Sequence, residues 1–84
     1  MKDLTLDNSA TYRIYVQGYL DQICSDYLQG MTISTRLDEG RRPVTTLTGQ
    51  LIDQAALLSV LTTLYSYYQL PLLSVECIAV DDLP

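Results

Sequence analysis

The 84-residue sequence predicts an α+β domain: a four-stranded, mainly antiparallel sheet with helices on one face, in the order β-α-β-β-α-β. Three observations predict it. Apolar residues alternate with polar ones over residues 11–19, the period of a half-buried strand. Two further extended runs, 31–37 and 44–49, flank a charged turn that contains Gly40 and Pro43. Between Asp53 and Tyr68 the apolar residues recur at helical spacing, and a leucine-rich run follows. The economical arrangement of these elements is ferredoxin-like. The alternative is a β-meander followed by one helix and a fourth strand, with the short first helix serving as an elaborate turn, because about ten residues is close to the lower limit for a crossover.

Residues 1–10 have no clear period and read as a loose arm, leaving 11–84 as a single domain. In the first strand Tyr12, Ile14 and Val16 fall on one side, and Thr11, Arg13, Tyr15, Gln17 and Tyr19 on the other. Asp21 suits a helix N-cap. Ile23, Cys24, Tyr27 and Leu28 then share one side of a two-turn helix that Gly30 stops. The second strand puts Met31, Ile33 and Leu37 on one face. Residues 38–43 form a hairpin turn in which Gly40 can take a positive φ. Val and Thr make 44–49 the third strand. Asp53 caps the main helix, with Ile52 and Leu57 placed for a hydrophobic staple. Its core stripe is Leu57, Val60, Leu61, Leu64 and Tyr68, and Pro71 ends it near Tyr68. Residues 72–80 are the fourth strand.

Composition excludes several function classes. The formal charge is −5, from 5 Lys+Arg against 10 Asp+Glu, and only Arg41 and Arg42 are adjacent cations. Neither a phosphate backbone nor an anionic membrane surface suits such a chain. Residues 54–75 carry no formal charge, but Ser, Thr, Gln and Pro71 interrupt them, so they do not read as a membrane span. Residues 1–11 lack the apolar run of a signal peptide, and Cys24 and Cys77 lie far apart. A cytoplasmic protein with reduced thiols is expected. At 48% hydrophobic and 18% charged the chain should fold, but around a thin core that oligomerisation would help.

The chemistry available is sparse. With no His, the usual neutral-pH base and commonest metal ligand are missing, and the only lysine, Lys2, lies in the arm. No catalytic, cofactor-binding or metal-ligating residue is expected. Cys24 and Cys77 read as small buried core residues. The pairs Asp38-Glu39 and Asp81-Asp82 read as solvated charge, Arg41-Arg42 as a hairpin tip, and Gly49 as a strand-end turn.

The run Leu47-Thr48-Gly49-Gln50-Leu51-Ile52-Asp53-Gln54-Ala55-Ala56-Leu57, followed by Leu70-Pro71-Leu72-Leu73-Ser74-Val75, resembles a family of small uncharacterised bacterial proteins with an LTG-x-L-x-DQAAL…LPLLSV pattern. Gly18-Tyr19-Leu20-Asp21 and Ser25-Asp26-Tyr27-Leu28 resemble them too, so the likeness covers residues 12–80. It implies no nameable activity. The element order also resembles that of the ACT domain, which would imply small-molecule sensing. Gly18-Tyr19-Leu20-Asp21 departs from that class's D-R-P-G turn.

What is left is an interaction or structural module acting as a homodimer or higher homo-oligomer. The candidate surface is the sheet face away from the helices, with Arg13, Tyr15, Gln17, Tyr19, Arg36, Glu76 and Ile78. The outer side of the main helix is the other candidate. Leu58 and Tyr65 flank its core stripe, and it carries no charge.

Overall fold

A computed structural model describes residues 5–81. Strand β1 (Ala10–Gln17) runs into a 3-10 helix (Gln22–Tyr27) and strand β2 (Thr32–Leu37). Strand β3 (Pro43–Leu51), helix α1 (Gln54–Ser66) and strand β4 (Leu72–Val80) complete the fold. The four strands form one open sheet in the order β2-β3-β1-β4, with every neighbouring pair antiparallel. β1 and β2 therefore run the same way with β3 between them, and β3 and β4 do so around β1.

The coarse expectation, α+β with four antiparallel strands, matches this architecture. The ferredoxin-like layer of two α-helices does not form, because the first connection is only a 3-10 helix. Of the alternative, the single α-helix, the turn-like first connection and the β2–β3 hairpin are found, but β1 lies beside β3 rather than β2. A 3-10 helix repeats every three residues, so its inward side differs from that of an α-helix. Leu28 is buried and Cys24 half-buried, while Ile23 and Tyr27 face solvent instead of sharing one apolar side. Asp21 does cap it, accepting from the Ile23 amide at 3.1 Å.

The arm expected over residues 1–10 ends early. Ala10 opens β1 and is buried. Leu6 accepts a backbone bond from Gln54 at 3.0 Å, and Ser9 accepts one from Asp81 at 3.0 Å. Residues 1–4, with Lys2, lie outside the described residues.

Each strand of the sheet interior alternates as its sequence dictates. In β1, Tyr12, Ile14 and Val16 point into the core, and Leu47 and Leu51 meet them from β3. Val60 and Leu64 close the core from α1, with Leu57, Leu61 and Tyr68 packed at its margin. Asp53 caps α1 through the Ala56 amide at 2.8 Å. Gln69, at φ 56°, reverses the chain after the helix, and the Leu70 amide returns to the Leu64 carbonyl at 3.1 Å before Pro71. Ile52, expected to staple the helix start, is instead exposed.

Two glycine expectations are corrected. Gly49 lies inside β3, not in a turn. A Cβ there would stand 3.2 Å from the Met31 Cα, so glycine lets the chain entering β2 approach the strand. In the β2–β3 hairpin the left-handed residue is Arg41, at φ 63°, rather than Gly40. Asp38 holds that turn through the Arg42 amide at 2.9 Å, with the Arg42 guanidinium at 3.6 Å. Arg42 and Asp38 are thereby committed to the turn.

Candidate interaction surface

The sheet has two edges, and they differ. Along β2 the 3-10 helix and its flanks act as a cover. The Gln22 side chain accepts from the Ile33 amide at 2.8 Å, and the Ser25 hydroxyl donates to the Met31 carbonyl at 2.7 Å. The Thr35 hydroxyl meets that of the buried Thr45 at 2.7 Å, and Thr45 donates to the Gly18 carbonyl at 2.7 Å.

β4 has no such cover. α1 leans on β3 as it crosses the sheet, and β4 arrives beyond β1 on the far side. Among the described residues no group outside β1 bonds the β4 backbone, except a long contact from the Cys77 thiol to the Ala79 carbonyl at 3.9 Å. No β4 residue is fully buried. Leu72 and Leu73 stay 52% and 50% exposed, and Ile78 42%.

Two β-bulges shape this edge. Tyr12 pairs with Cys77 and Thr11 with Ala79, which leaves Ile78 as an extra residue. Tyr15 pairs with Ser74 and Val16 with Leu72, which leaves Leu73 as another. Directly paired residues point to the same face. Leu72, Val75 and Cys77 therefore share the helix side with Val16, Ile14 and Tyr12.

Cys77 thus lies on the expected side, yet it is exposed and not a core residue. α1 approaches β4 only at Leu72, so at Cys77 no layer covers the edge strand. Cys24 is half-buried beside Tyr68. Hydrogen bonding to Cys24 and then burial push the Tyr68 phenol up to about 12. Leu58, Leu61 and Tyr65 of α1, with Leu70, Pro71 and Leu72, line an apolar groove of about 520 Å³ at the β4 end of the helix.

On the face away from α1, Arg13, Tyr15 and Gln17 are half-buried. Tyr15 lies between Thr46 on β3 and Ser74 on β4, and Arg13 lies beside Glu76. Gln17 turns its amide to the Pro43 carbonyl at 2.7 Å. Tyr19 has left the strand, and its hydroxyl reaches the Asp21 carboxylate at 3.4 Å. Arg36 is exposed two strands away from β1 on β2, and Ile78 sits in its bulge. The predicted surface is therefore split: Arg13, Tyr15, Gln17 and Glu76 are contiguous, whereas Tyr19 and Arg36 stand apart. The β4 edge, which the sequence reading did not single out, carries more exposed apolar surface than this face. The signal available for it was the near-continuous apolar run 70–80, too apolar for a strand with one solvated face.

Among the described residues no three His, Cys, Asp or Glu side chains cluster. Asp82 lies outside the described residues. Asp81 accepts from the Ser9 hydroxyl and the Gln50 amide, each at 2.7 Å, and these bonds hold its carboxyl below the ordinary value. Among the described residues no helix is long and apolar enough to cross a membrane.

Fold and surface together define a small antiparallel α+β domain with one covered and one bare sheet edge. Residues 11–76 match a family model described as "Domain of unknown function (DUF8691)", and the protein belongs to that family. No curated protein and no solved structure matches the chain.

Proposed function

We propose that this protein is a non-enzymatic, cytoplasmic interaction or structural module that works as a homo-oligomer. The observation that carries this reading is β4, a strand of nine residues at the sheet edge whose apolar side chains stay in water. Soluble proteins blunt such edges, because unpaired amides beside apolar side chains recruit another chain. A thin core gives the same chain a reason to accept a partner. The proposal includes a bacterial origin for the family and the LTG-x-L-x-DQAAL…LPLLSV pattern as its hallmark. Light scattering coupled to gel filtration tests the reading: a mass of at least twice 9.4 kDa is expected at micromolar concentration. A monomer at high micromolar concentration overturns it.

Small-molecule sensing is the second reading, and the groove beside Leu58 and Tyr65 favours it. The hydroxyls of Thr62 and Tyr65 are the only polar side-chain groups in its lining, so it suits a mainly apolar body better than an amino acid or a nucleotide. Thermal melts against small apolar ligands, with amino acids and nucleotides alongside, test this, because a ligand that binds only the folded state raises the melting temperature.

A further inference from the structure

We infer that two copies pair β4 to β4 about a two-fold axis through Val75, joining their sheets into one antiparallel sheet of eight strands; the inference rests on the self-association reading above. Bare backbone along an edge calls for an extended chain, since only a strand supplies amides and carbonyls at the right spacing. The β2 edge cannot serve equally. Gln22 already occupies the Ile33 amide there, and the 3-10 helix lies alongside.

The side chains of β4 select both the occupant and the register. In a two-fold antiparallel pair each residue faces its mirror position across the axis, and facing residues share a side of the sheet. With the axis at Val75, Val75 meets itself and Leu73 meets the partner's Cys77, while Leu72 and Ile78 fall at opposite ends of the straight run, each near the other's copy in the partner. The apolar residues of the straight run thereby face apolar ones. Glu76, the only charge on the strand, faces the partner's Ser74, a hydroxyl that can donate to it. Moving the axis one residue to Glu76 sets two carboxylates against each other. Moving it to Ser74 or Cys77 puts Glu76 opposite Leu72 or Ile78. The strand is self-complementary in one register, which makes a second copy the fitting occupant.

Size agrees. Nine residues span ~30 Å, and a sheet layer with a helix layer above it is ~20 Å deep, a footprint on the order of 600 Å². Its corrugated accessible surface approaches the ~800 Å² per partner of a stable interface. Bulges are a known device against edge pairing, but Leu73 and Ile78 bracket a straight run, Ser74 to Cys77, and the axis falls within it. The axis stands perpendicular to the sheet, so both α1 helices lie on the same side, and the groove beside Leu58 and Tyr65 opens toward the partner's equivalent.

Cross-linking at the axis tests the register. In a Cys24→Ser, Cys77→Ser background, Val75→Cys should give a covalent dimer as the main product of mild oxidation, since directly facing Cα atoms lie within disulfide reach. The Cys24→Ser variant alone, which keeps Cys77, should stay largely uncross-linked. Val75→Asp sets like charges face to face and should raise the dissociation concentration at least tenfold, with circular dichroism checking that the fold persists. Tyr15→Asp and Thr62→Glu should leave the mass unchanged. A wild-type protein that is monomeric sinks both the reading and the inference. A wild-type dimer with no Val75→Cys cross-link, and a mass that falls with Tyr15→Asp or Thr62→Glu instead, overturns the β4 edge and leaves self-association standing.

Discussion

Tyr12 carries an uncompensated polar group in the core. Its ring is buried at the centre of the sheet, and its hydroxyl has no hydrogen-bond partner among the described residues. A buried hydroxyl without a partner costs roughly 1–3 kcal/mol in proteins. Tyr12→Phe should therefore be neutral or stabilising by up to ~1 kcal/mol, unlike most core substitutions, and urea unfolding followed by circular dichroism will show it. A loss of more than 1 kcal/mol contradicts this account. Asp81 shows the opposite economy, with Ser9 and Gln50 both donating to one carboxylate oxygen. Its folded pKa lies below the ordinary value, so between the two values the unfolded chain holds more protons. The stabilising contribution is then present above the ordinary carboxylate pKa of about 3.9 and is lost as pH falls through the folded value. Asp81→Asn should flatten that part of the acid limb when the urea midpoint is followed against pH. An acid limb unchanged by the substitution argues against it.

At the scale of the element, helix and edge strand are complementary failures of cover. α1 has the cap and the core stripe that its sequence calls for, with Asp53 on the Ala56 amide and Val60 and Leu64 facing the sheet. A single helix is about 10 Å across and strands lie about 4.8 Å apart, so one helix covers about two of the four strands, and leaning on β3 it leaves β4 bare. Asp53→Ala removes the acceptor for a first-turn amide and should cost about 1 kcal/mol by chemical denaturation. Because the cap is remote from β4, the same variant should keep the native mass. Gly18 matters for the opposite reason. At φ 125° and with Leu70 against it, a Cβ there would come within 2.7 Å of the Leu70 side chain, so the corner after β1 is shaped by glycine alone.

At the scale of the molecule, a four-stranded sheet under a single α-helix has one covered face and one open face. Its core is a single cluster of Leu, Ile, Val, Met, Ala and Tyr. Joining the β4 edges adds backbone bonds and apolar contacts that the isolated chain lacks, so association and folding should be linked. The melting temperature should rise with protein concentration across the range where light scattering sees dissociation. A melting temperature that is flat over a hundredfold range spanning that dissociation removes the link. The acidic surface bears on the same point: a net charge of −5 keeps copies apart at long range, and added salt should tighten the dimer by screening it.

Local pattern determined most of the elements. Alternation set the inward side of β1 at Tyr12, Ile14 and Val16, and helical spacing with the Asp53 cap and Pro71 set α1 and β4. These signals act between residues close in the chain, where side-chain direction follows directly from backbone period. The turn chemistry was less legible. Arg41 rather than Gly40 took the left-handed position, and Gly49 answered to Met31, a residue distant in sequence. Tertiary structure alone decided that β3 separates β1 from β2 and that β4 lies outermost. That placement exposes Cys77 although its side of the strand is the core side. Burial depends on how many layers reach a given strand, and the layers come from elements far apart in the chain. The period of a strand says which way a side chain points, and only the packed sheet says whether anything stands there to meet it.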